Sequence, residues 1–162
     1  MKKKIYYWSP CLNPVGTIIS TINSVNAINK YSKTYEAFII NSCGEWNKYL
    51  DQFEGSSLRV INLTFDYFSF LPKKGFLASR FSYFIIFLIS FVPLLILLKK
   101  DKPKTFIMHL ITSLPLTLLN FFKFDTEFIL RISGYPKMNF IRKFFWSKLE
   151  RKIKLITCPT VD

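Results

Sequence analysis

Apolar and polar positions change period repeatedly along this chain. Lys4–Trp8 is a short apolar and aromatic run after a basic start, stopped by Ser9-Pro10, and reads as a strand. Two prolines and a glycine make Ser9–Gly16 a loop. Thr17 is expected to cap a helix in which Ile18, Ile22, Val25, Ala27 and Ile28 recur at helical spacing to about Tyr31. Tyr35–Ile40 and Leu58–Leu63 read as strands around a short polar helix, Gly44–Phe53. Thr64–Gly75 is an aromatic and basic loop. Leu77–Leu98 is the most apolar element, followed by a charged turn, Lys99–Lys104. Thr105–Ile111 predicts a fourth strand with His109 near its end. Ser113–Phe122 predicts a helix with Pro115 in its first turn, where proline is tolerated. Glu127–Ser133 predicts a fifth strand stopped by Gly134-Tyr135-Pro136. Asn139–Glu150 reads as a basic helix, and Ile153–Cys158 as a sixth strand stopped by Pro159.

Strands and helices alternate through all six strands. That pattern predicts an α/β fold with a doubly wound, parallel, six-stranded Rossmann-like sheet and helices on both faces. The expected strand order is 3-2-1-4-5-6. No internal repeat, low-complexity run or linker is visible, so residues 1–162 read as one domain.

Composition narrows the function. Half the residues are hydrophobic, 18 are Phe, and 23 Lys+Arg face 10 Asp+Glu, a net charge of +13. An apolar and strongly basic chain points to an anionic partner. Nucleic acid is disfavoured: the basic residues do not gather on one predicted sheet surface, and no RNP-like run is present. Cys11, Cys43 and Cys158 are odd in number and lack CxxC spacing, so they read as reduced thiols rather than a disulfide framework or zinc site. One histidine excludes a multi-histidine metal site. The amino terminus lacks an apolar region long enough for a secretory signal.

Phe81–Leu98 holds 18 residues without a charge. As a helix it would span about 27 Å, slightly short of a ~30 Å hydrocarbon core. Phe106–Phe122 is a second uncharged stretch, which admits a two-span integral membrane protein as the alternative. Cations on both sides of the first stretch and the flanking α/β alternation favour a peripheral domain. In that reading Leu77–Leu98 packs one face on the sheet and lays the other against an anionic membrane surface. Lys73, Lys74, Arg80, Lys99 and Lys100 surround that helix, and Arg142, Lys143 and Trp146 repeat the mixture in the last one. Near an anionic leaflet each cation contributes ~1 kcal/mol.

Ligands of open parallel sheets bind beyond the carboxyl ends of the strands, where strand order reverses. Here that point lies between the first and fourth strands. The first loop, Asn13-Pro14-Val15-Gly16-Thr17, offers backbone amides near a helix start for a phosphate or sugar hydroxyl. It is not GxGxxG and lacks a Walker lysine, so a nicotinamide or ATP site is not supported. His109 and Ser113 fall in the facing loop, and Arg131, Ser133 and Gly134 end the fifth strand. An arginine in an apolar strand requires a carboxylate, a phosphate or a route to solvent. No Ser/His/Asp or Cys/His constellation is evident, which disfavours hydrolase chemistry.

The runs KIYYWSPCLNPVGT, IMHLITSLP, ILRISGYPKMNFIRKFFW and ITCPT together resemble the amino-terminal domain of family 4-type glycosyltransferases with the GT-B fold. The resemblance implies an acceptor-binding half of a retaining, metal-independent enzyme. Such an enzyme moves a sugar from a nucleotide-sugar to a lipid-linked or surface-polysaccharide acceptor in polysaccharide or lipopolysaccharide biosynthesis. It implies no tightly bound cofactor, a nucleotide-sugar donor in the full-length enzyme, and a carboxy-terminal donor domain with an E-x7-E motif. That domain would follow Asp162, so the chain alone is expected to be an inactive, truncated half. The expected location is cytoplasmic, peripheral on the inner face of the cytoplasmic membrane. Gly16 and Thr17 match the family's first loop, and His109 falls near a cleft histidine, the candidate catalytic residue. Ser133 and Gly134 stand where many relatives carry another cleft residue, often His. With Asn13, Ser113 and Arg131 they complete the expected cleft.

Overall fold

A computed structural model of the protein describes residues 2–12, 16–50, 57–72, 75–109, 114–132 and 140–158. Six strands form one sheet: β1 (Lys3–Trp8), β2 (Tyr35–Asn41), β3 (Val60–Asn62), β4 (Thr105–Met108), β5 (Glu127–Arg131) and β6 (Ile153–Thr157). Their order is β3-β2-β1-β4-β5-β6, and every pairing is parallel. This is the expected doubly wound, Rossmann-like sheet. Five helices connect the strands: α1 (Gly16–Tyr31), α2 (Asn47–Leu50), α3 (Phe76–Asp101), α4 (Leu114–Phe121) and α5 (Phe140–Leu149).

Side chains alternate across the pleat and so divide the core in two. Tyr6, Trp8, Phe106, Met108, Phe128 and Leu130 point to one face. There they pack with Leu94 and Leu98 of α3, four leucines of α4 and Leu149 of α5. Tyr7, Ala37 and Ile39 point to the other face and meet Ile18, Ile22 and Val25 of α1. Three helices therefore cover the first face. On the second face α1 covers the strands at β1 and β2.

Polar contacts hold the ends of the elements. The Tyr6 hydroxyl donates to Asp101 Oδ2 at 2.5 Å, and Lys4 Nζ lies 3.3 Å from the same oxygen, which ties β1 to the end of α3. After β2, Asn41 Oδ1 accepts from the amides of Gly44 and Trp46, and Glu45 accepts from those of Ser42 and Cys43 at 2.8 Å each. Gly44 takes φ +97°, and a Cβ there would strike the Asp66 carboxylate, so only glycine fits this turn.

Several boundaries differ from the sequence expectation. Gly16 and Thr17 lie inside the first turn of α1, so Thr17 is not its cap. Its carbonyl instead accepts from the Thr21 hydroxyl at 2.7 Å. β3 is only three residues long: it begins at Val60, two residues later than expected, and ends one residue earlier, where Asn62 and Thr64 also bond to the turn after β2. Of the polar helix expected over Gly44–Phe53, Gly44–Trp46 form a turn and Asn47–Leu50 are helical, while 51–53 lie outside the described residues. The stretch Phe106–Phe122 divides into a parallel strand, β4, and a separate short helix, α4. The two-span alternative does not describe this fold, because Phe106 and Met108 are central to the sheet's core. Cys11 and Cys43 are buried, whereas Cys158 is exposed just past β6.

The two faces of α3 should respond differently to truncation. Leu94→Ala, in the core, is expected to lose about 2–5 kcal/mol of stability. Val92→Ala, more than half exposed, should stay within about 0.5 kcal/mol of the parent. Urea denaturation of the two variants checks this, and equal losses would contradict the packing.

Candidate functional site

β1 pairs with β2 on one side and with β4 on the other, so connections leave it in opposite directions. Above the carboxyl ends of these strands the chain opens a cavity of about 730 Å³. Its floor is one row of side chains read straight across the register: Tyr7 beside Ile107, Ile107 beside Ile129, Ile129 beside Leu155. Arg131 and Thr157 form the next row. Gly16, Thr17 and Ser20 of α1 close one side, and His109, Ile132 and Cys158 complete the wall.

His109 directly follows β4. Its backbone amide donates to the Trp8 carbonyl at 3.2 Å, which extends the β1–β4 ladder and fixes the residue at the switch point. The side chain is only 6% exposed. Its Nε2 lies 3.5 Å from Thr21 Oγ1. The Thr21 hydroxyl proton is already donated to the Thr17 carbonyl, so Oγ1 accepts here and Nε2 carries the proton. Nδ1 is then a lone-pair acceptor, buried without a partner among the described residues. Burial, assisted by the nearby Arg131 guanidinium, pushes the His109 pKa down to about 4. The ring is neutral at physiological pH.

Arg131 ends β5, half-buried in the cavity wall. Among the described residues it has no ion-pair partner. Its charge is felt by both His109 and Tyr7. The amino end of α1, with no acidic residue in its first turn, adds a positive helix terminus to the same cavity. The site thus joins one guanidinium, one helix amino end and one neutral imidazole to an apolar floor. It suits a ligand with an anionic group, hydroxyls and an apolar part.

Of the cleft residues expected from sequence, Gly16, Thr17, His109 and Arg131 come together around this cavity. Asn13, Ser113, Ser133 and Gly134 lie outside the described residues. Tyr7, Ser20, Ile107, Ile129, Ile132, Leu155, Thr157 and Cys158 were not anticipated. The signal for most of them was the period of two: once His109 and Arg131 mark the site, the odd-numbered positions of β1, β4, β5 and β6 share its face. Of the expected membrane-contact residues, Arg80 lies in the first turns of α3, and Lys99 and Lys100 lie in its last. All three are exposed. Lys143 is exposed on α5, but Trp146 is half-buried against the core. Lys73, Lys74 and the side chain of Arg142 lie outside the described residues.

No family model and no curated protein matches the chain. Among solved structures, the calicheamicin glycosyltransferase CalG4 is similar, with a TM-score of 0.51 and 10% identity. The match covers 92% of this chain and 37% of that one. The chain therefore spans little more than a third of the glycosyltransferase it matches. At that identity the likeness is one of fold: a parallel Rossmann-like sheet matching one half of a GT-B glycosyltransferase.

The histidine sets a pH dependence. Its native pKa lies below the ordinary 6.5, so between pH 6.5 and about 4 the unfolded chain binds a proton that the folded chain does not. Stability from this group is full above that window and falls as pH drops through it, by up to about 3 kcal/mol. A proton NMR titration of the chain's one histidine should give a midpoint near 4. A midpoint near the ordinary value would contradict the burial described.

Proposed function

We propose that the chain is the acceptor-side half of a family 4-type glycosyltransferase. In this reading it holds a lipid-linked or surface-polysaccharide acceptor while a separate donor domain presents the nucleotide-sugar. The observation that carries the reading is a half-buried Arg131, with no ion-pair partner among the described residues, beside the amino end of α1 in a cavity whose floor is apolar. A membrane-lipid phosphate or diphosphate with an attached sugar has all three matching parts. The similarity to a glycosyltransferase of known fold supports the architecture.

Each residue then has a defined task. Arg131 holds the phosphate by charge-assisted hydrogen bonds, and the first-turn amides of α1 share it. His109 is neutral and weakly basic, so it positions an acceptor hydroxyl instead of removing its proton at neutral pH. An unpartnered buried acceptor costs about 1–3 kcal/mol, which a hydroxyl donated to Nδ1 would relieve. Ile107, Ile129 and Leu155 receive the first apolar carbons of the ligand.

Binding separates this reading from its rivals. Calorimetric titration with a short-chain prenyl diphosphate carrying one sugar should show saturable binding. Arg131→Gln should weaken it at least about tenfold with the fold intact. A uridine diphosphate sugar should bind much more weakly. Tighter binding of the nucleotide-sugar, or no change on removing Arg131, would contradict the assignment.

A further inference from the structure

α3 is a 26-residue helix that uses only one of its faces in the fold. Ile86, Leu94 and Leu98 are buried in the core, and Ser82 donates from the same side to the Pro72 carbonyl. On the opposite side Leu77, Phe81, Phe84, Leu88, Val92 and Ile96 are each more than half exposed. Their spacing of four, three, four, four and four residues makes one continuous stripe about 29 Å long. Lys99 continues the same spacing. Soluble proteins rarely expose so long an apolar strip without a partner for it.

We infer that this stripe lies flat in the surface of an anionic lipid bilayer, with the helix axis parallel to the membrane plane. Charge selects this occupant. From Phe76 to Lys100 the helix has no acidic residue, and Arg80, Lys99 and Lys100 stand at its two ends. The carboxylate that follows, Asp101, is held by Tyr6 and Lys4 on the sheet side. α4 packs between α3 and α5, and α5 adds exposed Phe140 and Phe144 with Lys143 and Lys148. Apolar side chains rimmed by lysines suit acyl chains beneath anionic headgroups. A second copy of the chain would place the same cations against each other.

The helix is also long and apolar enough to cross a membrane. Crossing would strip Leu94 and Leu98 from the core they share with β1, β4 and β5. The flat orientation keeps that core and buries the stripe, so it satisfies both faces at once. It is independent of the assignment of the cavity: a membrane-seated sheet of this kind could bind any substrate.

Vesicle sedimentation tests the inference with the full chain. Binding to phosphatidylcholine vesicles containing phosphatidylglycerol is expected, with at least tenfold weaker binding to phosphatidylcholine alone and in high salt. The pair Phe84→Glu and Leu88→Glu should lose binding at least tenfold while keeping the parent's circular dichroism and melting temperature. Single substitutions Leu77→Trp, Leu88→Trp and Ile96→Trp, read against lipids brominated at different depths, should report one shallow depth. A deep Leu88→Trp between two shallow ends, together with resistance to carbonate extraction, would overturn the flat orientation in favour of a span. Unchanged binding in the glutamate pair would overturn the stripe as the contact. A concentration-dependent dimer that the same pair abolishes, with no vesicle binding by the parent, would assign the face to a second copy.

Discussion

Parallel hydrogen bonding between β1 and β4, in register from Ile5 against Thr105 to Trp8 against Met108, is the constraint on which the site depends. β1 already pairs with β2 on its other edge, also in parallel. A parallel neighbour cannot be reached by a tight turn, so each connection must cross over a face of the sheet. Crossovers on the two sides of β1 take opposite faces, because both are right-handed. The cavity opens at the carboxyl edge where β1 and β4 lie side by side. His109 sits at that edge because its amide adds one further rung to the β1–β4 ladder.

The same winding leaves the faces of the sheet unequally covered. α3, α4 and α5 share one core with the inward side chains of β1, β4, β5 and β6. On the opposite face α1 packs against β1 and β2, and Ile107, Ile129 and Leu155 are left as the floor of a cavity. One consequence is chemical: a guanidinium and a neutral imidazole stand above an apolar surface, an arrangement suited to an amphiphilic anion. The other is mechanical. α3 is long enough to cover the sheet and still present a full apolar stripe outward. Its outward stripe and the cavity lie on opposite sides of the sheet.

Much of this was legible in the chain. Short apolar runs ended by Pro or Gly, alternating with helical spacings, gave six strands and the doubly wound order. The positions of His109 and Arg131 at strand ends followed from those runs. Local competition for hydrogen bonds was not legible. Thr17 looks like a cap because it follows a glycine in a Pro-rich loop, yet the helix begins one residue earlier and Thr17 lends its carbonyl to Thr21. β3 ends early because Asn62 and Thr64 bond to the β2 turn through side chains that no hydrophobic period records. The cavity floor was hidden for a different reason. Ile107, Ile129 and Leu155 read as ordinary core until the register sets them in one row beside α1, along the cavity floor. Trp146 stands among cations in the sequence, and its half-buried ring also packs against the core, a contact that composition does not record.

The most direct test of the account is a crystal structure of the chain soaked with a short-chain prenyl phosphate. The account predicts the phosphate between the Arg131 guanidinium and the first-turn amides of α1, with the prenyl carbons over Ile107 and Ile129. A ligand seated elsewhere on the molecule, with the crevice between β1 and β4 occupied only by water, would contradict it.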